Sequence, residues 1–326
     1  MRIKYNILWF ENDPTSYETK KDFVKDILDK FGFDFPEPQH EVDGSNLDKL
    51  NFSTYDLIIA DMNLDNNQKA MELIDYIRKE SYTEVLFYSS SGEAAVRAEL
   101  AKYSIDGAYC SGRDSIDFED KVEGVIQTLI KKTQDLTNLR GLVMAEVSEL
   151  DMMMEEIIKK YYLEKESNSK EWLNFQKRII AGVEKDTKKK ILPKVSKTDK
   201  NEEKEHCVKD CFHIWSKAKS IEDIISKFEF DSSKKAHTIH IIAEEIFDYK
   251  IFTCSEYETE IIQVRNNLAH SKSVIKDGVE VLVTKKGGEI DFNQESFIKI
   301  RRDIKKYLEI LEKIEKKYEK NNYISF

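Results

Sequence analysis

The sequence contains few cysteines and no long apolar run. Its four cysteines, at positions 110, 207, 211 and 254 of 326, are unevenly spaced, which indicates a reducing compartment rather than a disulfide framework. The longest apolar runs, such as YNILWF and LIIA, are far shorter than the roughly 20 residues that a membrane-spanning helix needs. The N-terminal stretch MRIKYNILWFENDP lacks the apolar segment and cleavage site of a secretion signal. We therefore expect a soluble cytoplasmic protein without a membrane partner.

A net basic charge is also absent, and the acidity is confined to the first part of the chain. The formal net charge is −10. Residues 1–135 carry 16 Lys and Arg against 27 Asp and Glu, which leaves 36 basic and 35 acidic residues for 136–326. This balance indicates an acidic domain joined to a near-neutral one with local basic patches. A DNA partner is not expected.

The first part alternates strand-like apolar runs with amphipathic stretches. The strand-like runs are KYNILWF, a short segment near His40–Val42, YDLIIAD, EVLFYSS and GAYC. Helical spacing of apolar residues predicts helices at 16–31, around 68–80 and at 92–103. This βαβα order predicts a doubly wound, parallel five-stranded sheet with its ligand site at the carboxyl ends of the strands.

From residue 117 onward the pattern is helical almost throughout. One apolar stripe continues over 117–162 and predicts a connecting helix, with Gly141 as its weak point. Further helices are predicted at 170–190, 203–218, 233–252, 254–269 and 294–320. The runs VEVLVT and GEIDF predict a small β-hairpin, and the charged segment 185–204 a mobile loop. The predicted fold class is α/β plus all-α, with domains 1–130 and 131–326.

Acidic and hydroxyl side chains follow three of the predicted strands. ILWFENDP places Glu11, Asn12 and Asp13 after one strand, YDLIIAD ends at Asp61, and VLFYSS ends at Ser89 and its neighbour. These strand ends converge in a parallel sheet, so their carboxylates repel one another unless a cation intervenes. Mg²⁺ is a suitable hard cation for such oxygens. An aspartate beside Mg²⁺ can also accept a phosphoryl group.

Residues 1–130 resemble the receiver domain of two-component response regulators, through ILWFEND, DLIIADMNL and EVLFYSS. The resemblance implies that Asp61 is the phosphoacceptor and Ser89 the switch hydroxyl. It also implies a Mg²⁺ pocket that contains Glu11, Asn12, Asp13, Asp61 and the backbone carbonyl of Asn63, with a histidine kinase as the partner.

The sequence departs from the receiver pattern at two positions. Asn12 stands where the family has a second acid, and AYCSGRD offers only Ser111 and, displaced, Arg113 where the family has a lysine. Arg113 is therefore the candidate for the cationic part of the switch. A pseudo-receiver, in which Asp61 is only a strand-end acid, is the alternative.

The stretch VRNNLAHSK lies at the end of the predicted helix 254–269. Asn266 and His270 are four residues apart and share a face, whereas Arg265 lies about 140° from His270 on a regular helix. Histidine can act as a general acid or base, and the planar guanidinium binds phosphate oxygens. The pair can therefore cleave RNA without a metal. The alternative is that both cations only cap the helix C-terminus.

Residues 140–326 resemble the HEPN superfamily, which carries an Arg, a polar residue and, after a short spacer, a His; RNNLAH matches this pattern. The resemblance implies catalytic roles for Arg265, Asn266 and His270, with no cofactor. It also implies a homodimer whose two motifs face one cleft, and an RNA substrate such as tRNA or another single-stranded loop. Many members are toxins or defence effectors, and others are inactive binding modules.

Two further clusters of residues could bind a ligand. Cys207 and Cys211 share a helix face and could bind zinc together with His237 and His240, but the spacings are not those of a familiar zinc finger. Buried cysteines on an amphipathic helix are the more ordinary interpretation. The lysines around 188–190 could contact RNA phosphates, although a solvated loop is again the simpler interpretation.

The sequence as a whole predicts a regulated, metal-independent endoribonuclease of a stress or phage-defence system, controlled by a receiver-like sensor. The principal alternative is a non-catalytic signalling adaptor, in which the HEPN-like domain only dimerises and binds partners. A third reading has an inert receiver and a partner protein that alone controls the nuclease.

Overall fold

The N-terminal half of the chain forms an α/β layer structure in a computed structural model. The residues that the structure describes are 3–64, 67–102, 107–133, 136–163, 169–170, 172–174, 177, 181, 220–225, 230–247, 249–276, 279–283, 288–291 and 293–323. By contact they form two compact units. The first unit comprises Met1–Leu142, Ser273–Leu282 and Glu289–Lys305, and the second comprises Val143–Lys272, Val283–Gly288 and Lys306–Phe326. The predicted division into 1–130 and 131–326 stays a prediction.

The predicted five-stranded parallel sheet is confirmed. Its strands are β1 (Ile7–Phe10), β2 (Gln39–Glu41), β3 (Leu57–Asp61), β4 (Val85–Ser89) and β5 (Ala108–Gly112). They pair in parallel in the order β2-β1-β3-β4-β5. The strand order reverses between β1 and β3, so the carboxyl ends of these two strands flank the crevice where such sheets bind ligands.

Helices cover both faces of this sheet. They are α1 (Pro14–Lys30), α2 (Asn67–Glu80), α3 (Glu93–Lys102) and α4 (Ser115–Thr133), and short 3₁₀ turns lie at Leu47–Lys49 and Phe52–Thr54. Alternate strand residues pack into two apolar layers. Ile7 and Trp9 pack with α1 and α4, whereas Leu8 and Phe10 pack on the side of α2 and α3. Because every residue of β1, β3 and β4 is buried, these strands are continuous apolar runs in the sequence up to Asp61 and Ser89 at the ends of β3 and β4.

The helical part begins with α5 (Leu136–Leu163), which follows α4 after residues 134–135. Gly141 lies inside α5 and does not end it. The next described helices are α6 (Ile221–Ile225) and α7 (Ser232–Ile246). Helix α7 ends six residues before the predicted bound at 252. The predicted helices at 170–190 and 203–218 and the predicted loop at 185–204 fall mainly or wholly outside the described residues.

The predicted helix 254–269 is present, but its middle turn is a π-helix. It consists of α8 (Cys254–Tyr257), the π segment Glu258–Ile262 and α9 (Gln263–His270). Thr253 and Glu256 form a capping box that fixes the start of α8. A three-stranded sheet follows, β6 (Lys272–Lys276), β7 (Val279–Val283) and β8 (Glu289–Asp291). The last two strands are the predicted hairpin.

The final helix, α10 (Gln294–Tyr323), contributes its first part to the first unit. There the Arg301 side chain is fully buried, donates from Nε to the Phe31 carbonyl (2.8 Å) and lies over the Phe33 ring (4.5 Å). Its other two guanidinium nitrogens have no hydrogen-bond partner among the described residues. Burial lowers the pKa of Arg301 to about 10, so the group stays charged at neutral pH.

Gly32 makes this close approach of α10 to the end of α1 possible. Its φ is +74°, in the region that disfavours side chains, and a Cβ at this position would lie 2.9 Å from the Ile298 carbonyl oxygen. Beside it, Arg302 donates to the Lys30 carbonyl (2.9 Å), and Lys305 pairs with Asp29 (2.8 Å). Cations of α10 therefore satisfy the free carbonyl end of α1.

Candidate functional site

Three acidic side chains meet one guanidinium at the carboxyl edge of the sheet. Glu11 directly follows β1 and Asp61 ends β3, and both side chains are fully buried. From the loop after β5, Arg113 places Nη2 3.3 Å from Glu11 Oε1 and 3.2 Å from Asp13 Oδ2, while its Nη1 lies 3.4 Å from Asp61 Oδ2. We call Glu11, Asp13, Asp61 and Arg113 the acid pocket.

The orientation of Glu11 is fixed by a chain of hydrogen bonds from the core. Trp9 Nε1 donates to the Tyr88 hydroxyl (3.2 Å), which donates to Glu11 Oε2 (2.8 Å). The Asp13 backbone N–H donates to the other carboxylate oxygen (3.0 Å). Burial and then the charge of Glu11 raise the pKa of Tyr88, so its hydroxyl stays protonated and remains a donor. Sequence reasoning missed Trp9 and Tyr88 because their pattern is that of core residues.

The Asp61 carboxylate accepts fewer hydrogen bonds than the Glu11 carboxylate. Its Oδ1 accepts the backbone N–H of Asn63 (3.0 Å). Its Oδ2 is buried without a hydrogen bond, since Arg113 lies within ion-pair distance but not in hydrogen-bonding geometry. Burial raises the pKa of Asp61, the Asn63 N–H lowers it, Glu11 raises it and Arg113 lowers it. The buried charge therefore costs free energy in the folded state.

Asp61→Asn is expected to stabilise the protein at neutral pH, by roughly 2–4 °C in melting temperature. Because burial raises the pKa of Asp61 above 3.8, the folded state binds more protons than the unfolded state between the two pKa values. The stability of the parent therefore falls as pH rises through that window, and the variant escapes this loss. Thermal unfolding at pH 7 and at about pH 4 measures the effect.

The matched control for Asp61→Asn is Asp75→Asn, because the Asp75 side chain is 67% exposed. We expect no stabilisation of that variant at either pH. An Asp61→Asn protein that melts below the parent at pH 7 would contradict the inferred cost of the buried carboxylate.

The other predicted pocket residues have defined local roles. Asp13 caps α1, its Oδ1 accepting the backbone N–H groups of Thr15 (3.0 Å) and Ser16 (3.3 Å). The Asn63 side chain donates to Ser90 Oγ (3.1 Å) and Ser89 Oγ (3.4 Å), which joins the ends of β3 and β4. Asn12 is half-buried, and its side chain has no hydrogen bond within the described part of the chain.

The position of the missing lysine is taken by Ser111, which is buried and donates to the Gly112 carbonyl (3.0 Å). Positive charge reaches the pocket instead from Arg113 and from Lys20 of α1. Lys20 Nζ lies 5.3 Å from the centre of the Tyr88 ring. Burial lowers the pKa of Lys20, and the charge of Glu11 raises it. Sequence reasoning missed Lys20 because it lies within an ordinary amphipathic helix.

The implied Mg²⁺ can be tested against these residues. Carboxylate oxygens suit the ion, and Asp61 Oδ2 is an unsatisfied buried acceptor. In the described ranges, however, no three His, Cys, Asp or Glu side chains are placed so that they could hold a metal ion together. The guanidinium of Arg113 contacts the same oxygens that the ion would need. As placed, the pocket fits its own arginine and not Mg²⁺.

The second candidate site surrounds Arg265 on α9. Arg265 is half-buried and donates from Nη1 to Ser232 Oγ (3.1 Å) and from Nη2 to Asn266 Oδ1 (3.3 Å). Ser232, the first residue of α7, is 5% exposed and donates to Asp151 Oδ2 on α5 (2.6 Å). Three helices therefore supply the residues that hold this guanidinium.

Asp151, a half-buried residue, is the far end of this arrangement. Its Oδ1 is buried and has no hydrogen bond among the described residues. Burial raises the pKa of Asp151, whereas the Ser232 hydrogen bond, Lys235 and Arg265 lower it. Sequence reasoning missed Asp151 and Ser232. The only signal for Asp151 was an acid directly beside an apolar stripe, between Leu150 and Met154.

No hydrogen bond joins His270 to Arg265 in the described part of the chain. His270 is exposed in the last turn of α9, and its ring has no hydrogen-bond partner in the described ranges. The backbone N–H of Ser271 donates to the Asn267 carbonyl and ends the helix there. The structure therefore brings Arg265 to Asn266 but not to His270, as the 140° separation on a regular helix requires.

The π segment is fixed at one point by α10. Glu260 accepts hydrogen bonds from Lys306 Nζ (2.9 Å) and the Tyr307 hydroxyl (2.8 Å). Tyr257, at the end of α8, packs edge-on against Tyr307 (4.8 Å between ring centres). A π turn rotates all following residues about the helix axis. The contacts of Glu260 and Tyr257 with α10 therefore help to set the direction in which the Arg265 side chain projects from α9.

The zinc and lysine clusters add little to these two sites. Cys207, Cys211 and the lysines around 188–190 lie outside the described residues. Of the two histidines, His237 Nδ1 lies 3.5 Å from Cys254 Sγ, and His240 lies 3.4 Å from Glu244. Among the described residues neither contact gathers the three ligands that would hold a metal ion, and the zinc site stays a prediction.

No family model matches this chain, and no curated protein matches its sequence. Within the described residues, no helix combines the length and the apolar character that crossing a membrane requires. What the two sites do must therefore be argued from their own chemistry.

Proposed function

We propose that the chain is a metal-independent endoribonuclease whose activity is controlled through the acid pocket. The observation that carries the proposal is the held guanidinium of Arg265, half-buried on the same short helix that ends in the exposed His270. A fixed cation and an exposed imidazole, supplied by the same short helix although not in contact within one chain, suit a phosphodiester with a neighbouring hydroxyl. RNA supplies that hydroxyl at its 2′ position.

In the proposed reaction His270 takes the proton from the 2′-hydroxyl, and the leaving 5′-oxygen receives a proton from the imidazolium so formed or from water. The 2′-oxygen attacks the adjacent phosphorus and the bond to the 5′-oxygen breaks, which leaves a 2′,3′-cyclic phosphate and a 5′-hydroxyl. Arg265 offsets the charge that develops on the phosphate oxygens. Asn266 carries an amide that accepts from Arg265 and has donors left for the RNA.

The separation of Arg265 and His270 within one chain favours a site built from two copies. In a homodimer, Arg265 of one protomer and His270 of its partner can approach the same phosphate. The bound RNA would be a single-stranded loop, such as those of tRNA, because in-line attack requires a flexible backbone.

Control through the acid pocket follows from its unsatisfied charge. Any event that changes the charge at Asp61, phosphorylation by a kinase or the binding of a regulatory partner, alters the balance around Arg113. The proposal assigns this pocket the sensor role of a stress or phage-defence effector. An Asp61→Ala variant that cleaves like the parent under every condition would assign control to a partner alone.

The proposed activity is tested with the full chain on total RNA and on tRNA, in buffer containing EDTA. We expect cleavage by the parent to products with cyclic phosphate ends, and none by an Arg265→Ala/His270→Ala double variant. Arg97→Ala, which removes an exposed arginine paired with Glu93, serves as the charge control and should cleave normally.

A second candidate function is a non-catalytic adaptor, favoured because Arg265 donates to Ser232 and Asn266 and to no atom of His270 in the described ranges of the single chain. A folded, dimeric parent that cleaves no RNA in any state of the acid pocket would support it. Cleavage that persists in the double variant would show a contaminating nuclease.

A further inference from the structure

We infer that Asp151 and Ser232 are positioning residues that hold the Arg265 guanidinium in its working orientation; this inference rests on the proposed ribonuclease function. Neither residue lies near RNNLAH in the sequence, since α5 and α7 supply them. They act on Arg265 rather than on RNA, because Ser232 is buried and the contacting oxygen of Asp151 faces it.

The direction of the two hydrogen bonds is fixed by chemistry. A guanidinium has only donors, so Ser232 Oγ must accept from Arg265. The single proton of the hydroxyl is then free to go to Asp151 Oδ2, and the 2.6 Å distance is typical of a hydroxyl that donates to a carboxylate. Arg265, Ser232 and Asp151 thus form a one-way chain that ends on a negative charge.

This chain uses only part of the guanidinium. Of the five N–H groups of an arginine, one donates to Ser232 and one to Asn266. The remaining three have no partner among the described residues. They are available to phosphate oxygens, so the contacts with Ser232 and Asn266 orient the side chain and still leave donors for RNA.

Positioning has a physical benefit because a free arginine side chain is highly mobile. Ordering it at the moment RNA binds would cost much of its rotamer entropy. A guanidinium that is already held avoids this cost. The same contacts balance charge, because the Asp151 carboxylate lies near both Arg265 and Lys235.

The contact itself is tested without any RNA, through a double-mutant cycle in urea unfolding. The variants are Ser232→Ala, Arg265→Ala and the two together, with Ser233→Ala as a matched control from the same turn of α7. We expect Ser232→Ala to change the unfolding constant about tenfold less in the Arg265→Ala background than in the parent. Strictly additive effects would overturn the inference.

The role is tested by kinetics of RNA cleavage. Ser232→Ala is expected to lower kcat about tenfold with KM little changed, because RNA still binds but the guanidinium is misaligned. Ser232→Thr keeps the hydroxyl and should restore most of the rate. Asp151→Asn keeps an acceptor oxygen and should lose less than Asp151→Ala.

The unfolding cycle and the cleavage kinetics together distinguish failure of the positioning role from failure of the ribonuclease function. If the parent cleaves no RNA but the cycle shows coupling, the proposed function fails and the positioning role fails with it, although the contact stands. If the parent cleaves RNA and Ser232→Ala has the parental kcat, the nuclease stands and the positioning role is wrong.

Discussion

Replacing His270 with alanine is expected to slow RNA cleavage by about a thousandfold, within the range that general acid–base groups contribute. The imidazole is exposed and has no hydrogen-bond partner in the described ranges, so it is free to meet RNA. For the same reason its removal should change the free energy of unfolding by less than about 0.5 kcal/mol. A large kinetic effect with unchanged stability is what separates a catalytic residue from a structural one.

The measurement is the single-turnover rate on a labelled RNA hairpin in EDTA, for parent and His270→Ala. Lys272→Ala is the matched control, since Lys272 is an exposed cation two residues further along, at the start of β6. It should reduce RNA affinity at most and leave the rate at saturation unchanged. A substrate with a 2′-deoxy nucleotide at the cleaved bond should resist the parent.

Two results would contradict the role of His270. A variant that cleaves at the parental rate would exclude the imidazole from the chemistry. A variant that loses activity together with its folded state would point to helix capping, the alternative that the sequence left open.

Replacing Arg113 with alanine is expected to lower the free energy of unfolding by about 3 kcal/mol at neutral pH. The substitution leaves the carboxylates of Glu11 and Asp61 fully buried, close together and without their common cation. Arg113 lowers the pKa of Asp61 in the parent. Its removal therefore raises that pKa further, and the lost stability should return as the pH falls and the carboxylates take up protons.

Urea unfolding of the parent and Arg113→Ala at pH 7 and at about pH 4 measures this effect. The control is Arg97→Ala, since its pair with Glu93 is exposed and should contribute less than about 1 kcal/mol. MgCl₂ should stabilise Arg113→Ala more than the parent, because the guanidinium no longer competes for the same oxygens. Equal stability of parent and variant at pH 7 would contradict this prediction. It would show that Lys20 or solvent compensates the negative charges of Glu11 and Asp61 without Arg113.

Most of the sheet could be predicted from the sequence, and the reason is burial. The runs ILWF, LIIA and VLFY are fully buried and apolar throughout, so they stood out in the sequence. Strand β6 was missed because it is exposed along most of its length, with Ile275 78% exposed, and carries no burial signal. The π turn was missed because its residues have ordinary helical periodicity.

Site residues could be predicted only where a local sequence pattern, such as the end of a strand, marks them. Glu11 and Asp61 were found because strand ends are visible in the sequence. Arg113 was assigned to the pocket, but its simultaneous contact with three acids depends on the reach of a long side chain. Asp151 and Ser232 lie 114 and 33 residues before Arg265, and the packing of three helices brings them together. No local pattern encodes such a contact.

The fully buried Arg301 limits when the first unit can finish folding during synthesis. The first compact unit begins at the N-terminus but also takes in Glu289–Lys305, and Arg301 supplies the donor that the Phe31 carbonyl receives. On the ribosome, the nascent sheet and its four helices emerge well before this segment exists. Until then the end of α1 and the space beside Gly32 face solvent, so the unit reaches its native state only after residues 289–305 have been translated.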